Sequence, residues 1–291
     1  MKVSGFTFIR NAIKYDYPII EAINSILPIC DEMVVAVGKS DDSTLELIQN
    51  IDKDKIRIIE TIWDDRLREG GRVLAEETNK AFHAISNDSD WCFYIQGDEV
   101  VHERYLDNIR SAMEQWKDHK EVDGLLFNYK HFYGSYDYFG SSSHWYRKEI
   151  RIIRKNDKIY SYRDAQGFRK NDNEKLQVKP IDAEVYHYGW VKDPRAMQRK
   201  QEDFNKLWHD DQWIAQNVAK ADQFDYSEVE SLTKFTDSHP RVMGERLKKM
   251  NWIFDYDISF TNKKMKDRLK ETIEKITGWK IGEYQNYKLV K

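Results

Sequence analysis

Residues 31–44 read DEMVVAVGKSDDST, and this stretch decides the fold. Met33 to Val37 is an unbroken apolar, β-rich run that suits a strand buried on both faces. It ends in GKSDDST, a turn rich in capping residues, from which a helix over Thr44 to Ile51 starts. Upstream, SGFTFI (4–9) reads as a first strand. Apolar residues at Ile19, Ile20, Ala22, Ile23, Ile26 and Leu27 then recur at helical spacing until Pro28 stops them. Downstream, KIRIIE (55–60) supplies a third strand, so the opening third alternates strand and helix as a parallel α/β sheet does.

The alternation continues. Arg72 to Ile85 reads as a helix with Val73, Leu74, Ala81, Phe82 and Ile85 on its buried side, and WCFYI (91–95) as a short buried strand. After a helix over Tyr105 to Trp116, strands are expected over Gly124 to Tyr129 and Glu149 to Arg154. They flank HFYGSYDYFGSSSHWY (131–146), an aromatic, Gly/Ser-rich stretch expected to line a site. Ile159 to Tyr162 is expected to pair back on the preceding strand through a turn at Asn156 and Asp157, and Ala183 to Tyr188 is the last strand. Beyond Pro194 the chain is polar and helical, so residues 1–192 are expected to form one sheet-based domain and 193–291 a helical extension packed on it.

Composition narrows the function. Lys and Arg number 47 against 50 Asp and Glu, a net charge of −3, and no general field draws the chain to nucleic acid. Cys30 and Cys92 have neither CxxC nor Cys/His spacing, which argues against a disulfide framework or a zinc ribbon. No run approaches the roughly 18 apolar residues of a membrane span. Arg10 and Asn11 interrupt the apolar start before a signal-peptide core forms, and a cytoplasmic location is expected. Residues 262–291 hold nine Lys and Arg against four Asp and Glu. Lys263, Lys264, Lys266 and Lys270 make this tail a candidate for peripheral contact with an anionic membrane face.

Ligands of open α/β sheets sit outside the carboxyl ends of the strands, so the polar turns there are the candidate sites. Arg10 and Asn11 follow the first strand, Ser40 to Thr44 the second, and Gln96 to Glu99 the WCFYI run. Asp41 and Asp42 are ordinary helix-capping types, and they are also carboxylates placed to accept hydrogen bonds from a ribose. No GxGxxG and no P-loop is present, which argues against dinucleotide cofactors and ATP hydrolysis. An ionised carboxylate at the mouth of a buried strand must be solvated, paired or metal-bound, and oxygen ligands of this kind suit Mg or Mn. Side chains alternate between faces, so Asp98 is the candidate ligand ahead of Glu99. His187, within VYHYGW, is by itself an ordinary core histidine; beside an Asp-based site an imidazole can complete a Mn coordination shell.

Together FIRNA, DEMVVAVGKSDDST, WCFYIQGDE and VYHYGW resemble family 2 glycosyltransferases of the GT-A fold, over roughly residues 4–192. The acidic pair Asp98 and Glu99 is similar to the motif end of bacterial transferases of lipopolysaccharide-core type. The resemblance implies a Rossmann-like, mostly parallel mixed sheet flanked by helices, a nucleoside-diphosphate sugar as donor, and a glycan or lipid-linked acceptor. Thr7 and Arg10 match the opening strand, Asp41 and Asp42 the acidic turn, Asp98 the last Asp of a DxD motif that binds Mn or Mg, and His187 a late metal-binding His. Gln96 stands where DxD has its first acid, so that contact to ribose or metal must be weaker or supplied elsewhere.

The implied reaction is sugar transfer with inversion. Arg72, Arg151 and Arg154 are candidate stabilisers of the leaving diphosphate, Arg72 being counted with Gln96 among the donor-binding residues. Asp164, in YRDAQGF, is the candidate general base in the interval where similar enzymes present an acceptor-side carboxylate, with Glu149 the alternative. Two rivals stand beside this reading. A nucleotidyltransferase should carry a Gly- and Lys-rich phosphate loop after the first strand, where this chain has FIRNAIK. A non-catalytic nucleotide-sugar or glycan-binding protein on the same fold is the reading that Gln96 keeps open.

Overall fold

The structure, a computed structural model, describes residues 1–67, 70–142, 145–217, 221–227, 229, 231–259 and 285–290. In chain order the elements are β1 (Val3–Ile9), α1 (Ile19–Ile26), β2 (Glu32–Gly38), α2 (Thr44–Gln49), β3 (Ile56–Thr61), α3 (Arg72–His83), β4 (Trp91–Tyr94), β5 (Glu99–Val101), α4 (Leu106–Trp116), β6 (Gly124–Tyr133), β7 (Tyr138–Gly140) and β8 (Lys148–Arg154). There follow β9 (Ile159–Tyr162), β10 (Gly167–Lys170), β11 (Glu174–Lys175), β12 (Gln177–Trp190), α5 (Pro194–Phe204), α6 (Asp211–Asn217), β13 (Leu232–Lys234), α7 (Gly244–Lys249) and β14 (Lys288–Leu289). The basic cluster Lys263 to Lys270 lies outside the described residues.

The main sheet runs β3-β2-β1-β4-β8-β6, with β12 parallel to β6 and β5 antiparallel to β12. The block β1 to β4 is parallel, and β8 enters antiparallel between β4 and β6. This is a mostly parallel mixed sheet between helices, a Rossmann-like sheet of GT-A type. The period-two alternation of β2 shows why. Met33, Val35 and Val37 pack into one core with Ile19, Ala22, Ile23 and Ile26 of α1, whereas Val34 and Ala36 pack into a second with Val73, Leu74, Ala81 and Phe82 of α3. The strand β4 divides likewise, Trp91 and Phe93 to the first core and Cys92 and Tyr94 to the second.

As expected, the α-helix α1 stops before Pro28, at Ile26, and Pro28 sits inside a 3-10 turn over Leu27–Ile29, at a first-turn position where its missing N–H costs nothing. Two sequence expectations change. The strand β9 does not pair back on β8, because both edges of β8 are already taken by β4 and β6; it pairs forward with β10 in a separate sheet with β11. The last long strand begins at Gln177, well before Ala183, and accommodates Pro180 at a register shift between Pro180 and Glu184, where a residue without an N–H breaks no regular ladder.

The segment after β12 adds helices and also strands to this frame. Asp193 caps α5, accepting from the N–H groups of Arg195 and Ala196, with Pro194 at the first helical position. β13 pairs with β7 and β14 with β12. No helix among the described residues is long and apolar enough to cross a membrane.

Candidate functional site

A cavity of about 810 Å³ opens at the carboxyl ends of β1, β2 and β4, where an open α/β sheet binds its ligands. The loops after β1 and β2 are tied together to form its rim. Asn11, in the left-handed region at φ 55°, receives a bond from the Asp41 N–H at 2.7 Å on its side-chain oxygen, and its own N–H donates to Ser40 Oγ at 2.9 Å. The Ala12 N–H donates to Thr44 Oγ1 at 2.7 Å.

Arg10, Asp41, Gln96, Asp98, Asp164 and His187 all line this cavity. Arg10 pairs with Asp65 at 3.1 Å and lies over the Trp63 ring. The Gln96 amide donates to the Ala165 carbonyl at 3.1 Å and to Tyr94 Oη at 3.3 Å, fastening the β4 end to the β9–β10 turn that carries Asp164. In that turn Arg163 and Ala165 both have positive φ, 55° and 63°. L-residues pay for that conformation, and two of them flanking one carboxylate hold it in place.

Other candidates lie off the wall. Thr7 is fully buried, its phase in β1 being opposite to that of the wall residue Phe8, and its hydroxyl contacts the Phe8 carbonyl at 3.4 Å. Asp42 organises its own turn, accepting from the N–H groups of Thr44 at 3.0 Å and Lys14 at 2.7 Å. Arg72 extends into solvent beside Glu76. Arg154 donates to the carbonyls of Trp116, His119 and Val122, and Arg151 is buried against Glu99. Glu149 is buried and accepts from the Gln166 amide at 3.1 Å. Burial, with Glu99 adding and Arg151 opposing, pushes its carboxyl up to about 8. Burial also raises Asp164, which keeps its place on the wall.

At the cavity floor His187 Nε2 stands 3.7 Å from Asp98 Oδ2, with both side chains largely buried. Gly189 makes the approach possible: a Cβ there would stand 2.6 Å from His187 Nε2 and 2.7 Å from Asp98 Oδ2. Lys200 Nζ lies 3.5 Å from the same carboxylate oxygen and donates to the Gly189 carbonyl at 3.0 Å. Burial pushes the Asp98 carboxyl up, but His187, Lys200 and Lys192 outweigh it and hold it below the usual carboxylate range. Burial pushes the Lys192 ammonium down to about 7.

Among the described residues no group of three or more His, Cys, Asp or Glu is placed to hold a metal ion. One carboxylate oxygen and one imidazole nitrogen facing each other across a space that only glycine leaves open nevertheless fit two sites of a Mn or Mg ion, whose remaining ligands usually come from phosphate and water.

Tyr146, the last residue of the aromatic stretch 131–146 expected to line a site, stands on the wall, but sequence reasoning missed much of the rest. Trp63 follows β3, and α5 and the turn after it contribute Lys200, Asp203, Phe204 and Trp208. Asp203 accepts from Tyr15 Oη at 2.7 Å and pairs with Lys14 at 3.2 Å, bracing α5 against the β1 loop. Gly71, at φ 70°, admits Trp208 and Asp164 at distances a side chain would forbid. The one available signal was Lys200 itself, spaced with Ala196, Met197 and Phe204 on the inward face of an otherwise polar helix.

No protein-family model and no curated protein matches the chain. Solved structures do. S. aureus TarS shares 16% identity at a TM-score of 0.44, over 76% of this chain and 41% of that one, so the chain spans well under half of that structure's length. A 4-diphosphocytidyl-2C-methyl-D-erythritol synthase from Anaerococcus prevotii shares 11% identity at a TM-score of 0.38, over 66% of this chain and 91% of that one. Glucosyl-3-phosphoglycerate synthase from Mycobacterium tuberculosis, in complex with Mn2+, UDP and phosphoglyceric acid, shares 19% identity at a TM-score of 0.30, over 45% of this chain and 43% of that one. Likeness at this level assigns no activity.

Proposed function

We propose that the chain is an inverting glycosyltransferase that moves a sugar from a nucleoside diphosphate to a hydroxyl of a glycan or lipid-linked acceptor. The observation that carries the reading is the cavity at the strand ends, which unites Arg10 and Asp41, the facing pair Asp98 and His187, and the half-buried carboxyl of Asp164. Asp41 accepts from the donor's ribose, and Arg10 and Lys200 lie beside the donor's anionic end. Asp98 and His187 would hold a Mn or Mg ion, which when bound offsets charge on the departing diphosphate. Asp164 takes the acceptor's proton as the hydroxyl oxygen bonds to the anomeric carbon, while the bond from that carbon to the diphosphate breaks and the nucleoside diphosphate leaves. Glu149, buried, carrying its own proton at neutral pH and engaged by the Gln166 amide, is the weaker base.

Gln96 favours a second reading, a nucleotide-sugar-binding protein without turnover, since its amide is engaged by Tyr94 and Ala165 where a DxD motif has an acid. The deciding experiment measures binding and hydrolysis of UDP-, GDP-, CMP- and dTDP-sugars by the purified protein, with and without Mn2+. Binding with slow hydrolysis supports the transferase, binding without any hydrolysis supports the second reading, and no binding removes both. The proposed place of work is the cytoplasmic face of a membrane, and failure of anionic vesicles to retain the protein at low salt would remove that part.

A further inference from the structure

Asp164 has an aromatic neighbour. A Cβ on Gly71 would stand 2.9 Å from the Cβ of Asp164 and 2.9 Å from the Trp208 ring, so the indole and the carboxyl-bearing residue meet over one glycine. The wall continues through His209, which also lines the cavity. His209 is stacked in turn on Trp213, with ring centroids 3.5 Å apart and planes at 16°. Aromatic surface therefore runs from the turn that carries Asp164 outward to α6.

These rings are held from behind. The N–H groups of Trp208 and His209 both donate to the Asn205 carbonyl, at 3.1 and 2.9 Å. The Asp210 carboxylate accepts from the Trp213 N–H at 2.8 Å, and the Asp210 carbonyl accepts from the Ile214 N–H at 3.1 Å. A surface ordered before its ligand arrives loses little entropy on binding.

Among the described residues Trp213 alone of the tryptophans, tyrosines and phenylalanines is exposed, at 37%. One exposed apolar side chain is ordinary by itself. This one rests on the imidazole of a cavity residue, which makes it the outer end of the wall. A pyranose fits such a ring, because its axial C–H groups pack on the electron-rich face of an indole while its hydroxyls project sideways. Asp210 and Asp211, both exposed, precede Trp213 closely in the chain. Their carboxylates accept from sugar hydroxyls and repel a phosphate. Lys206, the cation of the same turn, is paired with Asp203 at 2.6 Å.

We propose that Trp213, backed by His209, is a stacking platform for a sugar ring of an uncharged glycan acceptor, with Trp208 leading from it to Asp164. The inference narrows the acceptor of the function proposed above to a glycan, and it rests on that reading for the role of Asp164. Saccharide binding needs no donor, so the two can fail separately.

The test is saturation-transfer-difference NMR on the purified full chain without nucleotide, with cellotetraose, chitotetraose and maltotetraose as probes and sorbitol, which has no ring face, as the control. At least one tetrasaccharide should take up saturation at its axial C–H protons, and sorbitol should not. Trp213→Leu, which keeps an apolar side chain and loses the ring, should weaken that saccharide roughly tenfold, whereas Trp213→Phe should stay within about threefold of wild type. A merely structural side chain would not separate the two variants. Equal affinity in wild type and both variants, or equal loss in both variants, overturns the platform. If no tetrasaccharide binds wild type although nucleotide-sugars do, the platform is wrong and the transferase reading stands. If a tetrasaccharide binds through Trp213 but no nucleotide-sugar binds, the platform stands and the transferase reading fails. A Trp213→Leu loss confined to nucleotide-sugars also overturns the platform, since the ring then holds the donor.

Discussion

Glu99 and Arg151 neutralise each other entirely out of solvent: Arg151 Nη2 lies 2.5 Å from Glu99 Oε1 and Nε lies 2.8 Å from Oε2, with both side chains fully buried. Tyr129 Oη also donates to Glu99, and the Glu99 carboxylate receives the Gln96 N–H at 3.0 Å. The acidic pair at the end of β4 thus splits in function, with Glu99 turned into the protein and Asp98 toward the cavity. Arg151→Met leaves a buried carboxylate without its cation and should cost about 3–5 kcal/mol in urea unfolding. Adding Glu99→Gln should recover much of the loss, and an additive double variant would show that the two residues stabilise independently.

Gly189→Ala should cut Mn2+-dependent nucleotide affinity at least tenfold, a flag of about 1.4 kcal/mol or more, because the new Cβ would force His187 and Asp98 apart. Calorimetry with Mn2+ and nucleoside diphosphate reads this directly. Circular dichroism should report an unchanged fold, and unchanged affinity would show that the two side chains are not ligands of one ion.

Asp164→Asn should lower turnover roughly 10²–10⁴-fold, the usual contribution of a positioned base, with donor affinity nearly unchanged. Burial raises the Asp164 carboxyl. A base works deprotonated, so wild-type rate should fall as pH drops through a value above the ordinary aspartate range, and that acidic limb should vanish in the variant. An active Asp164→Asn enzyme moves the role to Glu149.

Lys200 occupies the approach to Asp98 that a divalent ion would use. Lys200→Met should therefore raise Mn2+ affinity in the absence of nucleotide and weaken nucleoside-diphosphate binding, since the ammonium competes with the ion but attracts phosphate. Titrating Mn2+ and UDP separately tests both signs. A variant that loses affinity for both would show that Lys200 only supports the packing of α5.

Prior to any folding, DEMVVAVGKSDDST encodes a strand that buries both faces, and the alternation of 33, 35, 37 with 34 and 36 requires helices on each side. The same local logic locates the polar turns at the strand ends, because capping residues must follow a buried run for the next helix to start. What local pattern lacks is the phase and partnership of each side chain relative to distant ones. Only the folded sheet decides that Phe8 and not Thr7 meets the cavity, that Asp42 is taken up by backbone N–H groups of its own turn and of the β1 loop, and that Arg72 meets solvent. Only the insertion of β8 between β4 and β6 denies β9 a place in the main sheet. The contacts of Lys200 with Asp98, Trp208 with Gly71 and His131 with His187 join segments far apart in sequence. Their geometry depends on how every intervening loop closes, and no window of residues contains it.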